Sequence, residues 1–535
     1  MPHASAAWGF FFSAGPRLLR TRLAMLEPMS NASWTHGYVT EVDYARHFYR
    51  ELAPSFLRYA LTLGGFRTPS PDAPFTYCEL GCGHGLSTTV LAASNPRGRF
   101  WGIDFNPQHV AGARELAART SLGNTTFLDT SFEEFLAVDT PPFDFIGLHG
   151  VYSWVSPENR RKIVEILRAK LKPGGVAYVS YNAHPGWAPL APFRDLATLY
   201  GQRLSGSVTK RIEDVFAFMQ KMADLNAAYF ANNPLVKAHF DQVKTQDKKY
   251  LAHEYLNRDW HPQYAHEVAA ELAEGKLEYA TSADLQDHFD TIHLNDAARA
   301  LLESVSDPQI ARTVRDYMLG VRFHKDIFLK GGLRLSTREY RAEIGQTRFA
   351  LVAPADGIPL KARLHRGEAN LKEEIYRPII EALAKKPATI DELAKLPPLA
   401  NLGLAPLVQA VSMLVHIAAA SPCGREVDAQ ARSHAGGYDN ALIQGLVSDG
   451  RMPLASPLTG SGIFASGLDL LFARARLLKR EPKELVATVL AETGQSVLKD
   501  GKPIESPEEQ KAEIGRLLGR FEEHVLPLWR QHGIL

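Results

Sequence analysis

Over its first two thirds the chain alternates short apolar runs of strand length with segments whose apolar residues recur every three or four positions. Apolar runs at 76–80, 99–104, 125–130, 143–149 and 176–181 predict five strands. Between them, helical spacing predicts helices over 86–93, 107–116 and 160–171. The last carries Ile163, Ile166, Leu167 and Leu171, and Lys172-Pro-Gly-Gly175 stops it. His47-Phe-Tyr49 falls in a predicted first helix upstream. Strands and helices joined by short turns describe an α/β fold, a doubly wound parallel sheet whose ligand lies beyond the carboxyl ends of the strands. Residues 205–275 read as mostly helical, and two later runs at 276–280 and 321–329 alternate as strands that would complete the sheet.

The pattern changes after 336–340. Residues 336–371 read as a linker and 372–535 as a C-terminal α+β module. Helix-like stretches at 375–380, 389–394 and 404–420 follow one another in an order that resembles a winged helix, with later helices at 466–478 and 508–521 packed on it. A DNA-reading role is disfavoured by charge. The stretch 402–420 holds no Lys or Arg, and 372–423 balances five basic against five acidic side chains. Without phosphate-neutralising charge, duplex binding lacks its main source of affinity. The module therefore reads as a protein-contact or dimerisation unit, and a homodimer is one expected assembly.

Composition adds limits. At 535 residues the chain is long enough for two or three domains, and 45% hydrophobic with 22% charged residues describes a globular protein. A net charge of +1 gives no overall attraction to nucleic acid or anionic lipid. Cys78, Cys82 and Cys423 make neither a disulfide framework nor a C-x-x-C zinc motif, which favours a reducing cytoplasm. No uncharged apolar run reaches membrane-span length. Residues 1–28, with Arg17, Arg20 and Arg22 and no acid before Glu27, read as a tail or start-site extension ahead of a domain spanning 29–335.

The run Glu79-Leu-Gly81-Cys-Gly83-His-Gly85 carries the chemistry. Glycine tolerates positive φ and has no Cβ, so the loop can turn sharply and let a ligand touch backbone. The helix behind it would point free N–H groups at that ligand. The next strand ends in Asp104, 25 residues beyond Glu79 (104 − 79). A glycine loop after one strand and an acid closing the next describe a nucleoside cofactor on a parallel sheet. The dinucleotide pattern G-x-G-x-x-G would need glycine at 86, where Leu86 stands. Glu79-x-Gly81-x-Gly83-x-Gly85 instead resembles motif I of class I S-adenosylmethionine-dependent methyltransferases. That resemblance implies that the glycines pass beneath the cofactor's amino-acid tail and that Asp104, with Phe105 beside it, holds the ribose hydroxyls. It also puts Ser131 and Phe132, just past the third strand, at the adenine; many family members carry Asp where Ser131 stands.

Strand ends four and five supply His149-Gly-Val-Tyr152-Ser-Trp154 and Tyr181-Asn182-Ala-His184-Pro-Gly-Trp187, on the side where a methyl acceptor would enter. Aromatic faces attract a cationic sulfonium and exclude water. Tyr152, Tyr181 and Asn182 are expected to orient the acceptor, and His149 or His184 to take a proton. Equally, the tryptophans could be core anchors and the histidines satisfied hydrogen-bonding residues. Trp34 and Tyr38, with Tyr44 nearby, could close over the cofactor. The helical stretch 205–275 would cap the acceptor side.

Gly37-Tyr-Val-Thr40, Gly102-Ile-Asp-Phe-Asn-Pro107, Ser180-Tyr-Asn182, Pro185-Gly-Trp187 and Leu251-Ala-His-Glu-Tyr255 taken together resemble bacterial methyltransferases with a methyltransferase regulatory domain. That group includes lysine methyltransferases of rickettsial outer-membrane proteins. The resemblance implies a protein substrate and lysine methylation, with a small-molecule methyltransferase or a non-catalytic S-adenosylmethionine-binding regulator as alternatives. Ser180-Tyr-Asn182 is not the loop with which DNA methyltransferases grip a flipped base. No metal is expected, because His253 to His261 is not H-E-x-x-H; Glu254 and Asp259 could instead receive a basic acceptor.

Overall fold

The computed structural model describes residues 34–35, 37–42, 46–424, 427–445, 451–499 and 502–535; the expected extension 1–28 and Tyr44 lie outside these. Seven strands form the central sheet: β1 (Phe75–Leu80), β2 (Gly98–Asp104), β3 (Thr125–Asp129), β4 (Phe143–Leu148), β5 (Leu171–Asn182), β6 (Glu278–Ser282) and β7 (Phe323–Leu329). Their order is β3-β2-β1-β4-β5-β7-β6. The first five are parallel, and β7 runs antiparallel to both β5 and β6. The order reverses between β1 and β4, so a crevice opens beyond their carboxyl ends. The late strands complete the sheet as expected. Lys172-Pro-Gly-Gly175 does not merely stop the preceding helix, Pro157–Lys170, but belongs to β5.

Alternation along each strand divides the core in two, because successive side chains point to opposite faces. Tyr77, Phe100, Phe145, Tyr178 and Ile327 share one core. Their neighbours Cys78, Trp101, Ile146, Val179 and Phe328 share another, with Ile163 and Leu167 of the helix Pro157–Lys170. Both faces are covered, which is why these strands read as almost continuous apolar runs.

The first core does not stop at the catalytic sheet. It continues through Phe349, Leu414, Ile463 and Phe472 to Trp529 near the chain's end. The helix Leu86–Ser94, directly after the glycine loop, is buried at all nine positions. Its outer side is covered by the hairpin Met452–Ser456 and Ser461–Ala465 and by the helix Ala429–Gly445. Ser94 Oγ donates to the Ser461 carbonyl at 2.9 Å, and Asn95 Nδ2 to that of Gly460 at 2.9 Å. The segment expected as a linker contains a helix, Thr337–Gln346, and a strand, Arg348–Leu351. That strand pairs with Ala388–Thr389 on one side and Ala420–Cys423 on the other. It is only four residues long, too short for its alternation to stand out in the sequence. The helices Glu373–Lys385, Ile390–Leu393 and Leu404–His416 accompany this small sheet.

Helices Ala191–Gly201, Val208–Asp224, Pro234–Val243 and Lys248–Leu256 surround a core of their own, with Phe193, Ile212, Val215, Met219, Phe240 and Tyr255 at its centre. Val208, Ile212, Val215 and Met219 supply the buried stripe at i, i+4, i+7 and i+11. Val39, from the segment before the sheet, packs into this bundle.

Gly462 tests how closely the C-terminal hairpin fits the catalytic unit. A Cβ there would lie 2.8 Å from both Phe48 and Val90. Gly462→Val is expected to lower the melting temperature, costing about 1–3 kcal/mol as overpacked cores do, measured by thermal unfolding.

Candidate functional site

The loop between β1 and the helix Leu86–Ser94 bends through three left-handed glycines, Gly81 (φ +72°), Gly83 (φ +54°) and Gly85 (φ +69°). Gly81 and Gly85 are also sterically required, since a Cβ would meet Val151 or Ala113 at 2.7 Å. A Cβ on Gly83 would meet nothing within 4 Å, so this backbone faces open space. The loop is tied to β2: the amides of Gly81 and Cys82 donate to the Ile103 carbonyl at 2.8 and 2.9 Å. Asp104 then accepts from Gly83 N at 2.9 Å through Oδ2 and from Asn106 N at 2.9 Å through Oδ1, with His109 Nδ1 at 3.3 Å. Glu79, at the end of β1, accepts from Thr88 Oγ1. Burial, reinforced by the Asp104 charge and opposed by the Thr88 hydrogen bond, raises its pKa to about 7.

A cleft open to solvent, about 1130 Å³ with the solvent at its opening included, lies over this loop. Glu79, Gly81, Gly83, Asp104, Phe105 and Tyr38 line it. It runs into a neighbouring cavity of about 640 Å³ that shares Asp104, Phe105 and Phe132 and adds Ser131. Ser131 caps the helix Phe132–Ala137. Its hydroxyl donates to Glu134 Oε2 at 2.9 Å and accepts from Glu134 N at 3.2 Å. Tyr38 meets Phe105 edge-on at 5.8 Å between centroids, and the half-exposed Trp34 lies 6.1 Å from the same ring.

His149 lines the cleft, stacked on Tyr49 at 3.6 Å with Nδ1 paired to the Tyr178 hydroxyl at 2.8 Å. Burial pushes this imidazole down to about 3. It is therefore neutral near pH 7 and cannot keep a proton taken from an acceptor. Three expected acceptor-orienting residues are not brought to the cleft. Tyr152 is fully buried and donates to Glu271 Oε2 at 2.6 Å. Tyr181 donates to Asp326 Oδ2 at 2.6 Å inside the second core, because its place in β5 turns it to the face away from Tyr178. Asn182 is buried, its backbone amide donating to Ser153 Oγ at 2.8 Å and its backbone carbonyl accepting from Gln263 N at 3.0 Å. Those assignments are corrected: all three residues are buried, and the two tyrosine hydroxyls are already bonded within the protein. His184 packs on Tyr264, and Trp187 on Trp260, away from the cleft lining; Trp154 does line it.

The rest of the lining comes from elements distant in sequence. His47 and Tyr49 precede the first helical turn (Arg50–Leu52) rather than lying in a helix, and with Arg46 they line the cleft. His253, Glu254 and Asn257, from the end of the helix Lys248–Leu256, complete it. Asn257 Oδ1 accepts from Val39 N at 2.7 Å, and its Nδ2 donates to the His253 carbonyl at 2.7 Å. The helical bundle thus fastens the segment carrying Tyr38 over the cleft. The i, i+4 spacing of His253 and Asn257 is the one local signal that they share a helix face. Nothing local ties that face to Gly83.

A parallel sheet with this loop, an acid closing β2 and open space above Gly83 defines a class I S-adenosylmethionine-dependent methyltransferase, and the residues present fit that cofactor. Residues 78–177 match the family model of a methyltransferase domain, and residues 247–330 that of a predicted methyltransferase regulatory domain. The uncharacterized protein sll1526 of Synechocystis is 40% identical over 504 residues, spanning 94% of this chain and all of that protein. The uncharacterized protein RP028 of Rickettsia prowazekii is 27% identical over 218 residues, 40% of this chain and 86% of that one. The structure of PKMT2 from Rickettsia typhi in complex with AdoHcy is similar in fold. Its TM-score is 0.65 at 17% identity, covering 90% of this chain and 98% of that one. This chain belongs to the methyltransferases that carry a methyltransferase regulatory domain. Among the described residues no helix is long and apolar enough to cross a membrane.

Asp104→Ala is expected to weaken S-adenosylhomocysteine binding by about tenfold or more, the equivalent of one charge-assisted hydrogen bond, read by calorimetry. Tyr152→Phe should lower thermal stability by roughly 1–3 kcal/mol, through loss of its bond to Glu271, and leave that affinity unchanged.

Proposed function

We propose that this methyltransferase acts on a protein side chain, with the amine of lysine as acceptor. The reading rests foremost on the mouth of the cleft. Arg46 and His47 line the cleft and are exposed, so an acceptor carried on a large body can reach in from solvent. The inner wall there is aromatic, formed by Tyr38, Tyr49 and His149, and such faces draw cations together while excluding water. S-adenosylmethionine supplies an electrophilic methyl group on its sulfonium.

In this reading the glycine loop runs beneath the amino-acid tail of the cofactor and Asp104 takes the ribose hydroxyls. Tyr38 closes over them, with Phe105 and Phe132 against the adenine. Ser131 spends its hydroxyl proton and one lone pair on the helix cap, which leaves one lone pair to accept from the adenine amine. Methyl transfer is an in-line displacement, so the chain's contribution is positioning plus an acceptor in its deprotonated form. The similarity in fold to PKMT2 of Rickettsia typhi over nearly the whole chain supports a related division of labour between cofactor sheet, helical cap and C-terminal module.

Tritium transfer from labelled S-adenosylmethionine into envelope and soluble protein extracts, resolved by gel, tests this. The expected result is a small set of labelled protein bands whose label maps to lysine. Label confined to the small-molecule fraction would overturn the protein-acceptor reading.

A further inference from the structure

The geometry points to Glu254 as the catalytic residue that receives a cationic amine acceptor and takes its proton, an inference that rests on the transfer reading above. Glu254 lies on the helix Lys248–Leu256, within the stretch that matches the regulatory-domain model, and lines the same cleft as the glycine loop. Among the described residues its carboxylate has no hydrogen-bond or ion-pair partner. The nearest compensating charge is Arg194, from the helix Ala191–Gly201. Arg194 is already committed elsewhere. Its Nη2 donates to the Asn257 carbonyl at 2.5 Å and its Nε to the Glu254 backbone carbonyl at 3.2 Å. Its guanidinium also faces Trp260 at 5.1 Å and Trp154 at 5.8 Å. Arg194 thus fixes the end of the helix while leaving the carboxylate unneutralised in a cleft built for a cationic donor.

The Glu254 carboxylate is partly exposed where it lines the cleft, and with no side chain of the described residues on it, it is open to a cation that arrives with the substrate. Burial raises Glu254 to about 7, with Arg194 opposing. An ammonium approaching a sulfonium is shifted the other way, since a like charge disfavours its protonated form. The two values converge, and the proton can move from amine to carboxylate. The tyrosines around Glu254 do not compete for that proton. Tyr38 from the segment above, and Tyr250 and Tyr255 on its own helix, all have raised pKa values and stay neutral. Arg46, His47 and the buried His253 also line the cleft.

The step balances. The protonated amine gives one proton to the Glu254 carboxylate. The freed nitrogen pair forms the bond to the methyl carbon as the carbon–sulfur bond breaks, and the electrons of that bond stay on sulfur. The methylated amine leaves as a cation, and the proton on Glu254 passes to solvent at the mouth.

The test uses the full chain with Glu254→Gln and Glu254→Asp. S-adenosylhomocysteine affinity is measured by calorimetry, and tritium transfer from S-adenosylmethionine into the same extracts is measured between pH 6 and 9. Glu254→Gln is expected to bind S-adenosylhomocysteine within threefold of the unaltered protein and to lose about a hundredfold or more of transfer, as removal of a proton-transfer group does. The rise of rate through about pH 7 should vanish, and Glu254→Asp should restore part of the rate. Glu254→Gln transferring at the unaltered rate with an unchanged pH profile would overturn the inference. If the label enters an amine metabolite rather than protein and still needs Glu254, the protein-acceptor reading fails and this inference stands. Label on a carboxylate or carbon acceptor would overturn both.

Discussion

The Asp104 carboxylate is the point on which the site depends. One oxygen holds the amide of Gly83, the other the amide of Asn106 at the start of the following helix, and His109 approaches from that helix. A single side chain at the end of β2 thereby fixes the loop after β1 and the entry to the helix after β2. Hydrogen bonds to an ionised acceptor are about twice as strong as neutral ones. Three glycines in left-handed backbone need such fixed partners to choose one loop conformation. The crevice at the β1–β4 switch acquires its floor from this arrangement.

That floor is supported from behind by the rest of the chain. The helix following the loop is buried at all nine positions, with Leu86, Val90, Leu91, Ala92 and Ala93 apolar and the remaining four Ser or Thr, so it has no solvent face. The sheet covers one side of it and the C-terminal hairpin and helix cover the other, so the first core runs from Tyr77 to Trp529 without a break. The C-terminal module is consequently part of the structure that shapes the cofactor loop. Its contacts also reach the regulatory segment, where His416 Nδ1 lies 3.2 Å from Asp284 and His365 Nε2 lies 2.8 Å from Asp287.

The helical bundle, whose last helix opens the stretch matching the regulatory-domain model, contributes few groups to the site. Asn257 binds the segment that carries Tyr38, Arg194 holds the helix end, and Glu254 is left facing the cleft. The contrast with the buried tyrosines explains why position matters more than residue type here. Tyr152 and Tyr181 are satisfied by Glu271 and Asp326 within the protein, so their hydroxyls have nothing left for a substrate.

The sequence by itself determined the sheet, the glycine loop, the acid at the end of β2 and hence a nucleoside cofactor, because all of these are written in short-range spacing: period two in strands, three alternate glycines, one acid at a strand end. Phe132 lies just past a strand end, and the resemblance put it at the adenine, while Tyr38 was expected from the segment ahead of the first strand. Only the tertiary structure decided which face of β5 Tyr181 occupies, because alternation tells neighbouring residues apart without saying which face is which. It also decided that a four-residue strand in an apparent linker would anchor the small sheet, and that Arg46, Tyr49, Glu254 and Asn257 would meet around one cleft. These residues come from segments some 200 positions apart, and their approach depends on how a separately packed helical bundle docks on the sheet. No local pattern encodes that docking, since it is the joint result of many weak contacts spread over both surfaces.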